Sequence, residues 1–365
     1  MQLVSGAEGY GRMRNHSVFR HILILLLSCA LMLVAACSSG EPAAAPETLS
    51  EVREVIIDTA PDASGIDASE PEQPIVLGFS QLGSESDWRR ANSASIQEAA
   101  AEAGIELRFA NADQSQAKQV EAIRAFIREQ VDVIALAPVI ETGWEPVLME
   151  AKLAGIPVIV TDRKADVEDE SLYVTFIGSD FYDEGQKAAK YMLDKLSDRP
   201  GPVGIVELRG TEGSTPSIDR GRGFHDEMKQ RGDLLVLSSE AADFTLEKGR
   251  EVMRGFLEEH GSAIQVLFAH NDDMALGAIE AIEAYGLRPG KDIIIISVDG
   301  TRKAFEMMAL GKINCVVECN PLLGPILMQA VKETMEGRTL PKHIVTPESV
   351  YTETTAAQEA PNRKY

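Results

Sequence analysis

The sequence predicts an α/β protein built from two doubly wound parallel-sheet lobes. Three observations carry that reading. Short apolar runs alternate with helical patterns from Pro74 onward. The runs are almost continuously hydrophobic, as strands covered on both faces are. There are also too many of them for one compact sheet, so two sheets, and hence two lobes, are expected.

The strand-like runs are IVLGFS (75–80), IELRFA (105–110), VDVIALAP (131–138), IPVIVTD (156–162), YVTFIGSD (173–180), VGIVELRG (203–210), LLVLSS (234–239), IQVLFAH (264–270), DIIIISVDG (292–300) and INCVVE (313–318). Helical spacing falls between them. Ile96, Ala99, Ala100 and Ala103 share one face of 93–104, and Val120, Ile123, Phe126 and Ile127 share one face of 116–130. Gly104, Gly155 and Gly286 stand where helices should end. Strands separated by such helices imply βαβ units with right-handed crossovers and parallel pairing.

The chain has 365 residues, 44% hydrophobic content and a net charge of −22. That size suits one large or two medium domains with a proper core. The acidic balance argues against nucleic acid as a partner, because a phosphate backbone calls for a basic face.

Residues 1–37 read as a targeting segment. Arg12, Arg14 and Arg20 precede an apolar run from Ile22 to Ala36, shorter than the ~20 residues a membrane span needs. The run ends in LVAAC, which resembles a bacterial lipobox with Cys37 as the lipidated residue; an ordinary signal or an uncleaved anchor is the alternative, and either Met1 or Met13 is the start. Residues 38–73 are expected to form a disordered acidic tether, since Glu41–Gln73 carries nine carboxylates, one Arg and four prolines. Only Cys315 and Cys319 remain beyond the leader. Four residues apart on a strand places their Cα atoms ~13 Å apart, too far for a disulfide. Two cysteines also make no metal site.

In open parallel sheets, ligands collect at the carboxyl ends of strands. Six such ends hold a consistent set: Glu85, Trp88 and Arg89; Asp162 and Arg163; Arg220 on the helix after 203–210; Asn271; Asp299; and Glu318. Carboxylates, amides and guanidiniums satisfy hydroxyls that both donate and accept, and an aromatic plane packs on the C–H face of a sugar ring. Taken singly, each residue has an ordinary reading. Asn271-Asp272 fits a helix N-cap, Asp162-Arg163 a loop ion pair, and Trp144 a packing residue. The sugar-site reading rests on the six ends together.

These residues sit in GFSQLGSESDWRRAN (78–92), APVIETGWEPVL (137–148), VTDR (160–163), IDRGRGF (218–224), AHNDDMALGAI (269–279) and SVDG (297–300). From Ile75 to about Tyr351 the chain resembles the type I periplasmic sugar-binding proteins of ABC transporters, the ribose/galactose-binding family, and most nearly its galactofuranose-binding branch. The resemblance implies two lobes joined by a three-strand hinge, with 74–177 plus 319–346 in one and 178–318 plus 347–365 in the other. It implies that Trp88 stacks on the sugar, that Arg89, Asp162, Arg163, Arg220, Asn271, Asp299 and Glu318 hydrogen-bond it, and that Glu85 is a further contact. It implies a monomeric solute-binding lipoprotein with no cofactor. The protein would sit outside the cytoplasmic membrane, anchored through Cys37 or free in the periplasm, and deliver a monosaccharide to an ABC permease and its ATPase. A sensor feeding a chemoreceptor or histidine kinase is the alternative. Cys315, Cys319 and the stretch CNPLLGP depart from the branch's usual wording. No catalytic or metal motif (HExxH, GxSxG or GxxxxGK[ST]) is present, so no enzymatic activity is expected. A repressor of the same fold would need a DNA-binding head, which the leader replaces.

Overall fold

The computed structural model describes residues 73–365, which belong to one compact unit. The expected targeting segment, with Cys37, and nearly all of the expected tether lie outside the described residues. Among the described residues no helix is long and apolar enough to cross a membrane.

Two six-stranded sheets form the frame. The elements run β1 (Val76–Gln81), α1 (Asp87–Ala103), β2 (Glu106–Asn111), α2 (Gln116–Glu129), β3 (Val133–Leu136), α3 (Glu145–Leu153), β4 (Val158–Thr161) and β5 (Phe176–Gly178). Then come α4 (Phe181–Lys195), β6 (Val203–Arg209), α5 (Thr215–Met228), β7 (Leu234–Ala241), α6 (Leu246–His260), β8 (Ile264–Ala269), α7 (Asp272–Tyr285), β9 (Ile294–Asp299), α8 (Arg302–Ala309) and β10 (Cys315–Glu318). The chain ends with α9 (Gly324–Met335), β11 (His343–Val345), β12 (Val350–Thr352) and the short α10 (Ala356–Glu359).

The first sheet has the order β11-β5-β4-β3-β1-β2 and is parallel throughout. The second has the order β12-β10-β9-β8-β6-β7, parallel except that β12 runs against β10. Each order reverses beside its first strand, at β1/β3 and β6/β8, which opens a crevice at the carboxyl ends. The chain passes between the sheets three times, at 179–180, 319–323 and 346–349. β11 and β12 are three residues each and carry too short a pattern to have been read from the sequence.

Apolar faces follow the expected periodicity. In α1, Ile96, Ala99 and Ala100 are buried; in α2, Ile123 and Phe126 are. Gly104 and Gly286 end α1 and α7 in the left-handed conformation that favours glycine. One glycine contact bears on the site. A Cβ on Gly185 would lie 2.1 Å from the Arg220 carbonyl oxygen. Only glycine lets α4 and α5 approach that closely, and the approach brings Glu184 against Arg220.

Candidate functional site

β1 runs out at Gln81 and α1 begins at Asp87, with Ser86 as N-cap: its Oγ accepts the Arg89 N–H at 3.0 Å. The cap fixes the first helical turn so that Trp88 and Arg89 face inward, at 5% and 3% exposure. Arg90, on the outer side, bonds Asp87 at the surface.

Between the two sheets lies a cavity whose atom-free space, with the adjoining open solvent counted in, is about 300 Å3. Its lining includes Glu85, Trp88, Arg89, Asp162, Arg163, Arg220, Asn271 and Asp299. Eight of the nine residues expected from the strand ends therefore meet at one place. Glu318 does not. Its carboxylate is held outside the cavity by Arg363 Nη2 at 2.9 Å and the Ser349 N–H at 3.2 Å. The reason is strand parity: successive side chains on β10 point to opposite faces, and the residue that lines the cavity is the next one, Cys319.

The walls are charged and arranged with alternating sign. Arg89 Nε donates to Glu85 Oε1 at 3.2 Å, and its Nη1 lies 2.6 Å from Asp162 Oδ2, an ionic contact off the line of a hydrogen bond. Burial opposes the charge on Arg89, but Asp162 and Glu85 outweigh it and its pKa rises. Arg163 donates from Nη1 to Val139 O at 2.8 Å. Burial and then repulsion from Arg89 lower its pKa to about 10. Arg220 donates from Nε to Glu184 Oε2 and from Nη1 to His270 O, both at 2.6 Å. Burial opposes its charge and Glu184 more than restores it. Burial, then the charge of Asp272, holds the Asp299 carboxyl well above the carboxylate range.

Each guanidinium also lies over a ring: Arg89 over Trp88 at 4.7 Å, Arg163 over Phe244 at 5.1 Å and Arg220 over Phe181 at 5.2 Å. Phe181, Phe244, Pro216, Ser86 and Cys319 complete the lining. These five were not anticipated. Phe181 had a usable signal, since it follows the IGSD strand end directly; Phe244 had none.

Two observations mark the cavity as built for a ligand. Buried Glu85 Oε2, Arg163 Nε and Asp299 Oδ2 have no hydrogen-bond partner, although buried polar atoms are nearly always paired. Asp162, Phe244 and Asp299 have φ of 62°, 62° and 125°. Non-glycine residues adopt this region at a cost, and such strain gathers at functional sites. The Asp299 loop is held in that shape by the buried Asp272, which accepts from Gly300 N (2.9 Å), Thr301 N (2.7 Å) and Thr301 Oγ1 (2.9 Å). Asn271 is both cap and lining: its Oδ1 accepts from Met274 N at 3.0 Å and its Nδ2 donates to Phe244 O at 3.2 Å.

The structure is closed. Asp87 N donates to Asp273 Oδ2 (3.1 Å), Lys164 N to Thr215 Oγ1 (3.1 Å) and Glu141 N to Gly213 O (2.9 Å), each joining residues beside different sheets. Trp88 Nε1 donates to Cys319 O at 2.7 Å, and its ring packs in a cluster with Phe181 and Cys319. Trp144, in contrast, is fully buried away from the cavity, with Nε1 on Ile140 O at 2.7 Å. Cys315 and Cys319 are buried free thiols.

Comparison with known proteins agrees with this architecture. The chain is 40% identical over 294 residues to the galactofuranose-binding protein YtfQ of Escherichia coli, covering 80% of this chain and 92% of that one. Among solved structures, it is 49% identical, with a TM-score of 0.78, to a Mycobacterium smegmatis protein in complex with β-D-fucofuranose (80% and 95% covered). It is 44% identical, with a TM-score of 0.76, to the periplasmic binding component of the arabinose ABC transporter of Shewanella sp. ANA-3, bound to α- and β-L-arabinofuranose (79% and 95% covered). The first and the last of these are named as binding proteins, and the second holds a bound sugar. Residues 77–339 match the model of the periplasmic binding protein domain, and the chain is a member of that family.

Proposed function

We propose that this protein is the solute-binding component of an ABC sugar importer and takes a monosaccharide in furanose form. The observation that carries the reading is the set of buried, unpartnered polar atoms on Glu85, Arg163 and Asp299, three residues that line one cavity. Carboxyl oxygens and a guanidinium N–H in one cavity suit hydroxyls, each of which gives and takes a hydrogen bond. Trp88, Phe181 and Phe244 supply apolar faces for the ring carbons. A site of this kind rejects analogues that leave its own groups unpaired.

Glu85, Trp88, Arg89, Asp162, Arg163, Arg220, Asn271 and Asp299 are the proposed sugar contacts. The relatives described as binding galactofuranose, fucofuranose and arabinofuranose support the furanose form. The arabinose relative belongs to an ABC transporter, which favours delivery to a permease and its ATPase over sensing. Family membership supports an extracytoplasmic location. Anchoring through Cys37, a tether over 38–73, a monomeric state, and lobes of 74–177 plus 319–346 and 178–318 plus 347–365 complete the proposal.

Sugar shifts an open–closed equilibrium, because only the closed form lets groups beside both sheets touch it. The test is intrinsic tryptophan fluorescence of the purified protein against galactofuranose, arabinofuranose, fucofuranose and ribose. A saturable response to at least one furanose is expected. No response to any sugar refutes the proposal.

A further inference from the structure

Behind the cavity, one side chain ties together all three chain crossings. Glu348 lies in the third. Its Oε1 accepts from the Ser179 hydroxyl in the first crossing, from Asn320 N (3.4 Å) in the second, and from Thr346 Oγ1 (3.3 Å) in its own. Glu348 also meets Glu184: one carboxylate oxygen of each, together with Cys319 Sγ, lie within 4.8 Å of one another. Glu184 is completely buried, its Oε2 accepts from Arg220 Nε at 2.6 Å, and its Oε1 has no conventional donor.

With Glu184 fully buried and Glu348 partly buried, carboxylates this close disfavour a charge on both, so one of them is favoured in its protonated form. Because Glu184 carries the Arg220 guanidinium, the proton belongs on Glu348.

We propose that Glu348 is a positioning residue for the sugar site: as a neutral carboxyl it donates to Glu184 Oε1, and Glu184, so held, fixes the Arg220 guanidinium at the cavity wall. This rests on the sugar-binding reading above.

The surroundings agree. Burial, and next the charge of Glu184, push the Glu348 carboxyl up to about 9. The groups facing it are Glu184 and Lys187 on α4, Arg220 on α5, and Cys319 in the second crossing, with Asp299 beyond Arg220. Lys187 does not neutralise the carboxyl: its Nζ donates to the Glu348 backbone oxygen at 3.2 Å and pairs with Asp183 at 2.7 Å. The Cys319 thiol is held neutral by burial, then by the two glutamates. The trio has the spacing of a metal site, but the Arg220 guanidinium already neutralises Glu184 and repels a second cation.

Deprotonating Glu348 places two negative charges against each other and loosens Glu184 from its position under Arg220. With a carboxyl titrating near 9, the dissociation constant of the responding furanose, measured by calorimetry, should weaken about tenfold between roughly pH 7.5 and 10. In Glu348→Gln, whose amide donates at every pH, the same interval should change the constant less than about threefold. Glu184→Gln should weaken binding at all pH values.

A ligand-free readout accompanies these measurements. The NMR resonance of the Arg220 Nε–H should shift as Glu348 titrates in the wild-type protein and stay fixed in Glu348→Gln. An Arg220 resonance that does not move up to pH 10 in the wild type overturns the proposal, whether or not the variant folds. Equal alkaline weakening in wild type and Glu348→Gln also overturns it. If no sugar binds at any pH, the sugar-binding reading fails, and the Arg220 titration still decides the role of Glu348.

Discussion

Replacing Arg163 by Lys keeps the charge and removes the planar fork. In the structure that fork does three things. Nη1 satisfies Val139 O at 2.8 Å, the plane lies over Phe244 at 5.1 Å, and Nε is buried without a hydrogen-bond partner. A lysine ammonium cannot do all three at once. If Nε donates to a sugar hydroxyl, its loss removes one charge-assisted hydrogen bond, worth about 1.5–3 kcal/mol. At 1.4 kcal/mol per decade, the dissociation constant rises roughly 10- to 150-fold. The buried Val139 carbonyl also loses its donor, at about 1 kcal/mol of fold stability. Calorimetric titration of wild type and Arg163→Lys with the furanose that responds in fluorescence measures the first effect, and thermal melts measure the second. A dissociation constant within twofold of wild type in a folded variant refutes the assignment, because charge alone would then suffice.

Other predictions follow from the same geometry. Trp88→Ala removes the ring under Arg89 and the bond to Cys319 O, so affinity should fall by at least about tenfold. Trp144→Ala should lower stability by about 3–5 kcal/mol and leave affinity nearly unchanged; equal affinity losses in the two variants would contradict the placement of the stacking ring. Glu318→Gln should leave the dissociation constant within about twofold, because its partners are Arg363 and Ser349; a large loss by calorimetry would return Glu318 to the site. Burial raises the Asp273 carboxyl to about 7. Its folded pKa lies above the unfolded one, so its contribution is present near pH 4 and lost as pH rises through 7. Melting temperature should therefore decline more steeply from pH 5 to 8 in wild type than in Asp273→Asn, and identical slopes would remove Asp273 as the cause.

Much of this was legible because the governing signals are local. The near-continuous apolar runs of parallel strands and the 3.6-residue spacing in α1 and α2 are written in neighbouring residues. The strand-end rule then found eight lining residues without any knowledge of pairing. What escaped was set by neighbours distant in sequence or by one-residue parity. Glu318 ends β10 and Cys319 follows it directly, and that single position separates a side chain outside the cavity from one that lines it. Phe244 reaches the site from a loop with positive φ after β7, and no pattern in AADFTLE announces it. Glu348 acts through partners 28 to 169 positions away, a distance over which a single sequence carries no signal.

The central claim is that the cavity between the sheets is the sugar site. A crystal structure of the protein grown with the furanose that gives the strongest response tests it most directly. The claim predicts one sugar ring in the cavity, with hydroxyls within hydrogen-bond distance of Glu85 Oε2, Arg163 Nε and Asp299 Oδ2, the atoms that have no partner without it. A sugar seated elsewhere, or one in the cavity that leaves all three unpaired, would contradict it.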